Sequence, residues 1–181
     1  MDAAIKRLTK AMPPPASPRF QAVNWKRLEE AVDLTYPLSF KDFVAVYGAS
    51  VWFDNLSPLY TEAKTVASAK HFRKQVTDNL APLHNGVFDD KLKPLNLPVY
   101  PEKGGLFPFL VDYGGGMCCW WTERRKPDRW PVVCWRAGRV MTILERKSLA
   151  QMILDWLDRK PHMILVWGDR RDMEPYRFRL D

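Results

Sequence analysis

The sequence predicts an α+β domain, and three observations predict it. Apolar residues first recur at helical spacing, then fall in short alternating runs broken by turn residues, then return to helical spacing in a closing segment. Helices followed by a sheet with a helix laid over it is an α+β order. No internal repeat interrupts it. The chain has 181 residues, 46% hydrophobic and 27% charged, which suits one domain with its own core.

Residues 1–19 are expected to be a flexible arm, basic at Lys6, Arg7 and Lys10 and rich in proline through Pro13, Pro14, Pro15 and Pro18. A single domain is expected over 20–181, with a C-terminal extension from about 161. Asn24 is an N-cap candidate, and Trp25, Leu28, Ala31 and Val32 follow at helical spacing. Tyr36-Pro37 ends that helix, because a residue before proline avoids the helical region. Ser39 and Asp42 have capping-box spacing, Phe40, Phe43, Val44 and Tyr47 make an apolar face, and Gly48 stops the helix in a left-handed conformation. The domain therefore opens with two short helices joined by a proline turn.

Val51, Trp52 and Phe53 read as a short strand, and residues 61–79 as a helix with Ala63, Val66, Ala67 and Val76 on one face. Residues 80–105 are rich in proline and glycine and read as loop. Then comes an antiparallel β-meander: Leu106 to Tyr113, a Gly114-Gly115-Gly116 turn, Met117 to Thr122, Pro131 to Ala137, and Arg139 to Leu144. Ser148 and Gln151 again have capping-box spacing, and Leu149, Met152, Ile153, Trp156 and Leu157 form one apolar stripe. Pro161 closes this helix. Met163 to Trp167 reads as a final strand and Tyr176 to Leu180 as an edge strand, which could support a homodimer.

No apolar run reaches the roughly 18 residues that span a bilayer. Proline, not an apolar stretch, follows the basic N-terminus, so no secretory signal is read and the cytoplasm is the default compartment. Cys118, Cys119 and Cys134 are expected to be buried free thiols, with Cys118 and Cys119 on opposite strand faces. His71, His84 and His162 are scattered, without metal-ligand spacing, and no cofactor is expected.

The three-glycine turn leads into a strand, so it lacks the helix N-terminus of a phosphate loop. Asp89 and Asp90, with His84 nearby, have no fixed element to set them as acid and base. The expected function is therefore binding, not catalysis. The net charge of +7 permits an acidic protein, a nucleic acid or a membrane surface as partner. A basic hairpin at 123–130 is the nucleic-acid signal, with Arg124, Arg125, Lys126 and Arg129 near Trp121 and Trp130. Glu123 and Asp128 break that run, and a charged, soluble hairpin tip is the stronger reading of it.

Two separated stretches resemble the SUKH superfamily. One is Asn24-Trp25-Lys26-Arg27-Leu28-Glu29, Tyr36-Pro37-Leu38-Ser39-Phe40-Lys41-Asp42-Phe43 and Tyr47-Gly48. The other is Leu106-Phe107-Pro108-Phe109, Gly114 to Trp121, Pro127 to Val133 and the Ser148-to-Leu157 helix. The fold-determining positions of the match are Trp25, Pro37, Gly48, Gly115 and Trp156. The resemblance implies an immunity protein of a polymorphic toxin system, contact-dependent or type VI, that covers its cognate toxin sterically. Asp54, Glu62, Asp89, Asp90 and Glu102 are the candidate acidic contacts for a basic toxin. Trp52 and Trp121 are the candidate aromatic anchors. The alternative is a nucleic-acid or regulatory module using the 123–130 hairpin.

Overall fold

A computed structural model describes residues 2–53, 55–84, 97–123, 126–135, 142–169 and 178–179. The class is α+β, with helices α1 (Ala3–Ala11), α2 (Trp25–Val32) and α3 (Leu38–Tyr47) leading into strands β1 (Val51–Trp52) and β2 (Leu56–Pro58). Helix α4 (Val66–His84) precedes β3 (Leu106–Asp112) and β4 (Met117–Trp121). A 3-10 turn (Pro127–Arg129), β5 (Val132–Trp135), β6 (Thr142–Leu144), α5 (Leu149–Leu157), α6 (Pro161–Trp167) and β7 (Phe178–Arg179) complete the order. The strands form one sheet, β6-β5-β4-β3-β2-β1-β7, antiparallel at every pairing.

Helix α2 begins where Asn24 predicts. The Asn24 side chain accepts from the Arg27 amide at 3.1 Å. Glu29 then fastens the proline turn, accepting from the Tyr36 amide at 2.8 Å and pairing with Lys41 of α3 at 2.6 Å. Trp25 is half-buried over the same turn, 5.3 Å from Tyr36 and with Lys41 Nζ 5.5 Å above its ring. Helix α3 starts earlier than Ser39: buried Pro37 is its N-cap position and offers no side-chain acceptor. Gly48 ends it with φ +61° and ψ −156°. That ψ lies outside the left-handed helical region and in one open essentially to glycine alone. A Cβ there would also run into the Arg19 carbonyl, which accepts from the Ala49 amide.

The central strands are buried without alternation. Leu106 to Leu110 and Val132 to Trp135 are all inaccessible, so both faces of the sheet are covered. Trp120 is the hub of the core. Its ring stacks on Phe109 at 4.6 Å and meets Phe40 and Tyr36 of the α2–α3 unit edge-on at 5.1 and 5.5 Å. Gly115 turns β3 into β4 at φ +81°, and the Asp112 carboxylate accepts from the Gly116 amide at 2.8 Å. Trp156 is 1% exposed and donates to the Gly168 carbonyl at 2.8 Å, so it serves the core as the stripe on α5 predicts.

Three expectations need correction. The first nineteen residues do not form a free arm: Asp2 caps α1, and Ile5 and Leu8, both 0% exposed, pack this helix on α5. The apolar spacing of Ala4, Ile5 and Leu8 outweighs the prolines, which begin only after the helix ends. Met163 to Trp167 is helical, because Pro161 occupies the first helical turn of α6, where its missing amide costs nothing. Cys118 and Cys134 are directly opposed on β4 and β5 and joined in a disulfide, leaving only Cys119 as a free, buried thiol. Sequence separation hid that register. The expected strand at Tyr176 to Leu180 is present at Phe178–Arg179 and closes the sheet edge against β1.

Candidate functional site

Two hollows flank the 3-10 turn, and Pro127 and Trp130 line both. The first is a cleft of about 560 Å3 floored by Phe40, Phe109 and Trp120. The N-terminal ends of α1, α3 and α5 converge on it, through Asp2, Leu38 and Ser148. Unpaired amides at a helix start need acceptors. Asp2 accepts from the Ala4 amide at 3.0 Å, and Ser148 from the Gln151 amide at 3.3 Å.

Helix α3 is capped from a distance. The Asp128 carboxylate, on the 3-10 turn, accepts from the Leu38 amide at 3.1 Å and the Ser39 amide at 2.9 Å. The residue that breaks the basic run in sequence therefore holds that turn against α3. No local pattern marks it; the signal was the absence of a capping side chain at Pro37. Leu38, beside this contact, is 67% exposed on the lip of the cleft.

One wall of the cleft is braced by a buried carboxylate. Asp155, 5% exposed, accepts from Lys147 at 2.7 Å and Gln151 at 2.7 Å and meets His162 Nε2 at 3.2 Å. Burial pushes its pKa up, but the hydrogen bonds from Lys147, Gln151 and His162 and the Lys147 charge outweigh burial and hold it below the ordinary value. The loop before α5, α5 itself and α6 are thus joined at one point.

The second hollow, of about 520 Å3, lies across the turn. Asp33, Arg73, Glu102 and Lys103 surround it, with Tyr100 in its wall. Burial raises the Tyr100 phenol, while Arg73 beside it acts the other way and Asp33 adds to the rise.

The expected contact residues scatter. Trp52 is 1% exposed, packed on Phe43 and Tyr47 with its indole N–H donated to Ser50 at 2.6 Å, so it is core and presents no anchor. Trp121 is half-buried at the end of β4. Glu62 is paired with Lys64 at 2.7 Å, and Glu102 is exposed beside the second hollow. Lys126 and Arg129 are exposed at the two ends of the 3-10 turn. Asp54, Asp89, Asp90, Arg124 and Arg125 lie outside the described residues. Among the described residues no group of His, Cys, Asp and Glu has the geometry of a metal site, and no helix is long and apolar enough to cross a membrane. Burial raises the Cys119 thiol far above its ordinary range, so it is no thiolate nucleophile in this fold. Comparison with protein-family models, curated proteins and solved structures finds no match for this chain.

Proposed function

We propose that this chain is a non-enzymatic immunity protein that binds a cognate toxin and blocks it by steric cover, with the first cleft as its receptor surface. The observation that carries this reading is the commitment of four of the cleft's polar side chains to structural contacts. Asp2, Asp128 and Ser148 cap helices, and Lys147 is paired with Asp155. These groups fix the walls instead of converging on a reacting atom, which favours a rigid docking surface over a catalytic one. Leu38 on the lip supplies an apolar contact, and the SUKH resemblance supplies the toxin as partner class.

The test is co-expression with the product of the adjacent reading frame. That product is expected to be toxic alone, harmless with this chain, and recovered in complex with it. Leu38→Asp is expected to weaken the complex about tenfold, the equivalent of about 1.4 kcal/mol, at unchanged melting temperature. A neighbour that is harmless alone, or protection that persists without complex formation, removes the proposal.

A second reading rests on Lys126 and Arg129, both exposed at the 3-10 turn. It expects salt-dependent binding of RNA or DNA that Arg129→Ala weakens. No binding at about 50 mM salt, where phosphate contacts are strongest, dismisses it.

A further inference from the structure

The second hollow is ringed by four exposed charges, one of which, Arg73, also acts on the Tyr100 phenol in its wall. Arg73 and Lys103 bring cations to it, and Asp33 and Glu102 bring carboxylates. All four residues are exposed, and among the described residues no ion pair joins any of them. A volume of about 520 Å3 falls within the usual range of small-molecule sites. Leu34 and Trp130 give it an apolar wall.

Behind this surface lies a second buried tyrosine. Tyr36 is 1% exposed, and among the described residues its hydroxyl has no hydrogen-bond partner. Its ring and that of Tyr100 both meet Phe107 edge-on, at 5.8 and 5.1 Å. Tyr100 is in turn the wall of the hollow.

We infer that this hollow binds a small zwitterion, an α-amino acid or a dipeptide with free ends. Its carboxylate meets Arg73 and Lys103, and its ammonium meets Asp33 and Glu102, over Leu34 and Trp130. A simple anion would face two carboxylates and a simple cation would face two cations. A ligand carrying both charges satisfies both pairs at once. This site lies across the 3-10 turn from the proposed toxin surface and does not depend on that reading.

The test is isothermal calorimetry of the full chain at low salt, with leucyl-leucine as probe and N-acetyl-leucyl-leucine amide as its uncharged counterpart. Leucyl-leucine is expected to bind with a Kd of about a millimolar, and capping both ends to weaken it about tenfold or more. Arg73→Gln and Asp33→Asn are each expected to weaken it about three- to fivefold, the scale of an exposed charge contact. Asn suits the left-handed φ of +51° at Asp33, and both sites are exposed, so these variants fold. Lys74→Gln serves as control, because Lys74 is already paired with Asp78 at 2.6 Å. The inference is overturned if leucyl-leucine gives no heat at millimolar concentration, if the capped compound binds equally, or if Arg73→Gln and Asp33→Asn leave the affinity unchanged.

Discussion

Replacing Asp128 by Ala tests whether the 3-10 turn is held to α3 by one side chain. The substitution removes acceptors from the Leu38 and Ser39 amides, which lie 3.1 and 2.9 Å from the carboxylate. Loss of an N-terminal cap costs about 0.5–2 kcal/mol. The lost charge at the helix start adds about 0.3–1 kcal/mol at a surface position. Asp128 is exposed, so water repairs part of the deficit, and about 1–2 kcal/mol is expected. For a chain of this size that is a fall of about 3–6 °C in melting temperature. Asp128→Asn keeps an acceptor oxygen and is expected to lose about half as much. Urea denaturation followed by near-ultraviolet circular dichroism reads both variants. An Asp128→Ala protein within about 0.3 kcal/mol of the parent would refute the capping argument.

Three further outcomes are expected. Asp155→Asn should flatten the acid side of the stability profile: a carboxyl held below its ordinary value stabilises the fold above that value, and the contribution disappears as pH falls through the lower, folded one. An unchanged acid limb in denaturant titrations would contradict this. Leu8→Ala should cost about 2–5 kcal/mol, since Leu8 is 0% exposed between α1 and α5, whereas a free arm would make it silent. The denatured, unreduced chain should take up one equivalent of maleimide, at Cys119, and three after reduction; three equivalents before reduction would rule out the Cys118–Cys134 pairing.

Much of the fold was legible because local signals and tertiary contacts agree. Asn24 and Ser148 cap the helices they precede, the apolar stripe on α5 is buried, and the turn at Gly115 joins the two strands expected there. The misreadings share a cause. Met163 to Trp167 is a short apolar run, whose periodicity serves a buried helix as well as a strand. Trp52 looked like an anchor because residue type does not reveal burial. The site was less legible than the fold: Asp128 acts on residues about ninety positions away, and the register of Cys118 on Cys134 appears only once β4 and β5 are paired. Glu102 was singled out for its charge, but Arg73 and Asp33, which the fold brings beside it, come from a helix and a helix end with no shared pattern.

The place of β7 sets the order in which the sheet can be completed. Its two residues pair with β1, which precedes it by most of the chain. During synthesis β1 and β2 leave the ribosome long before the strand that covers their edge. Until β7 arrives, the backbone of β1 presents an open hydrogen-bonding edge to any extended segment nearby. The hazard is one of timing, and removing β7 would make it permanent.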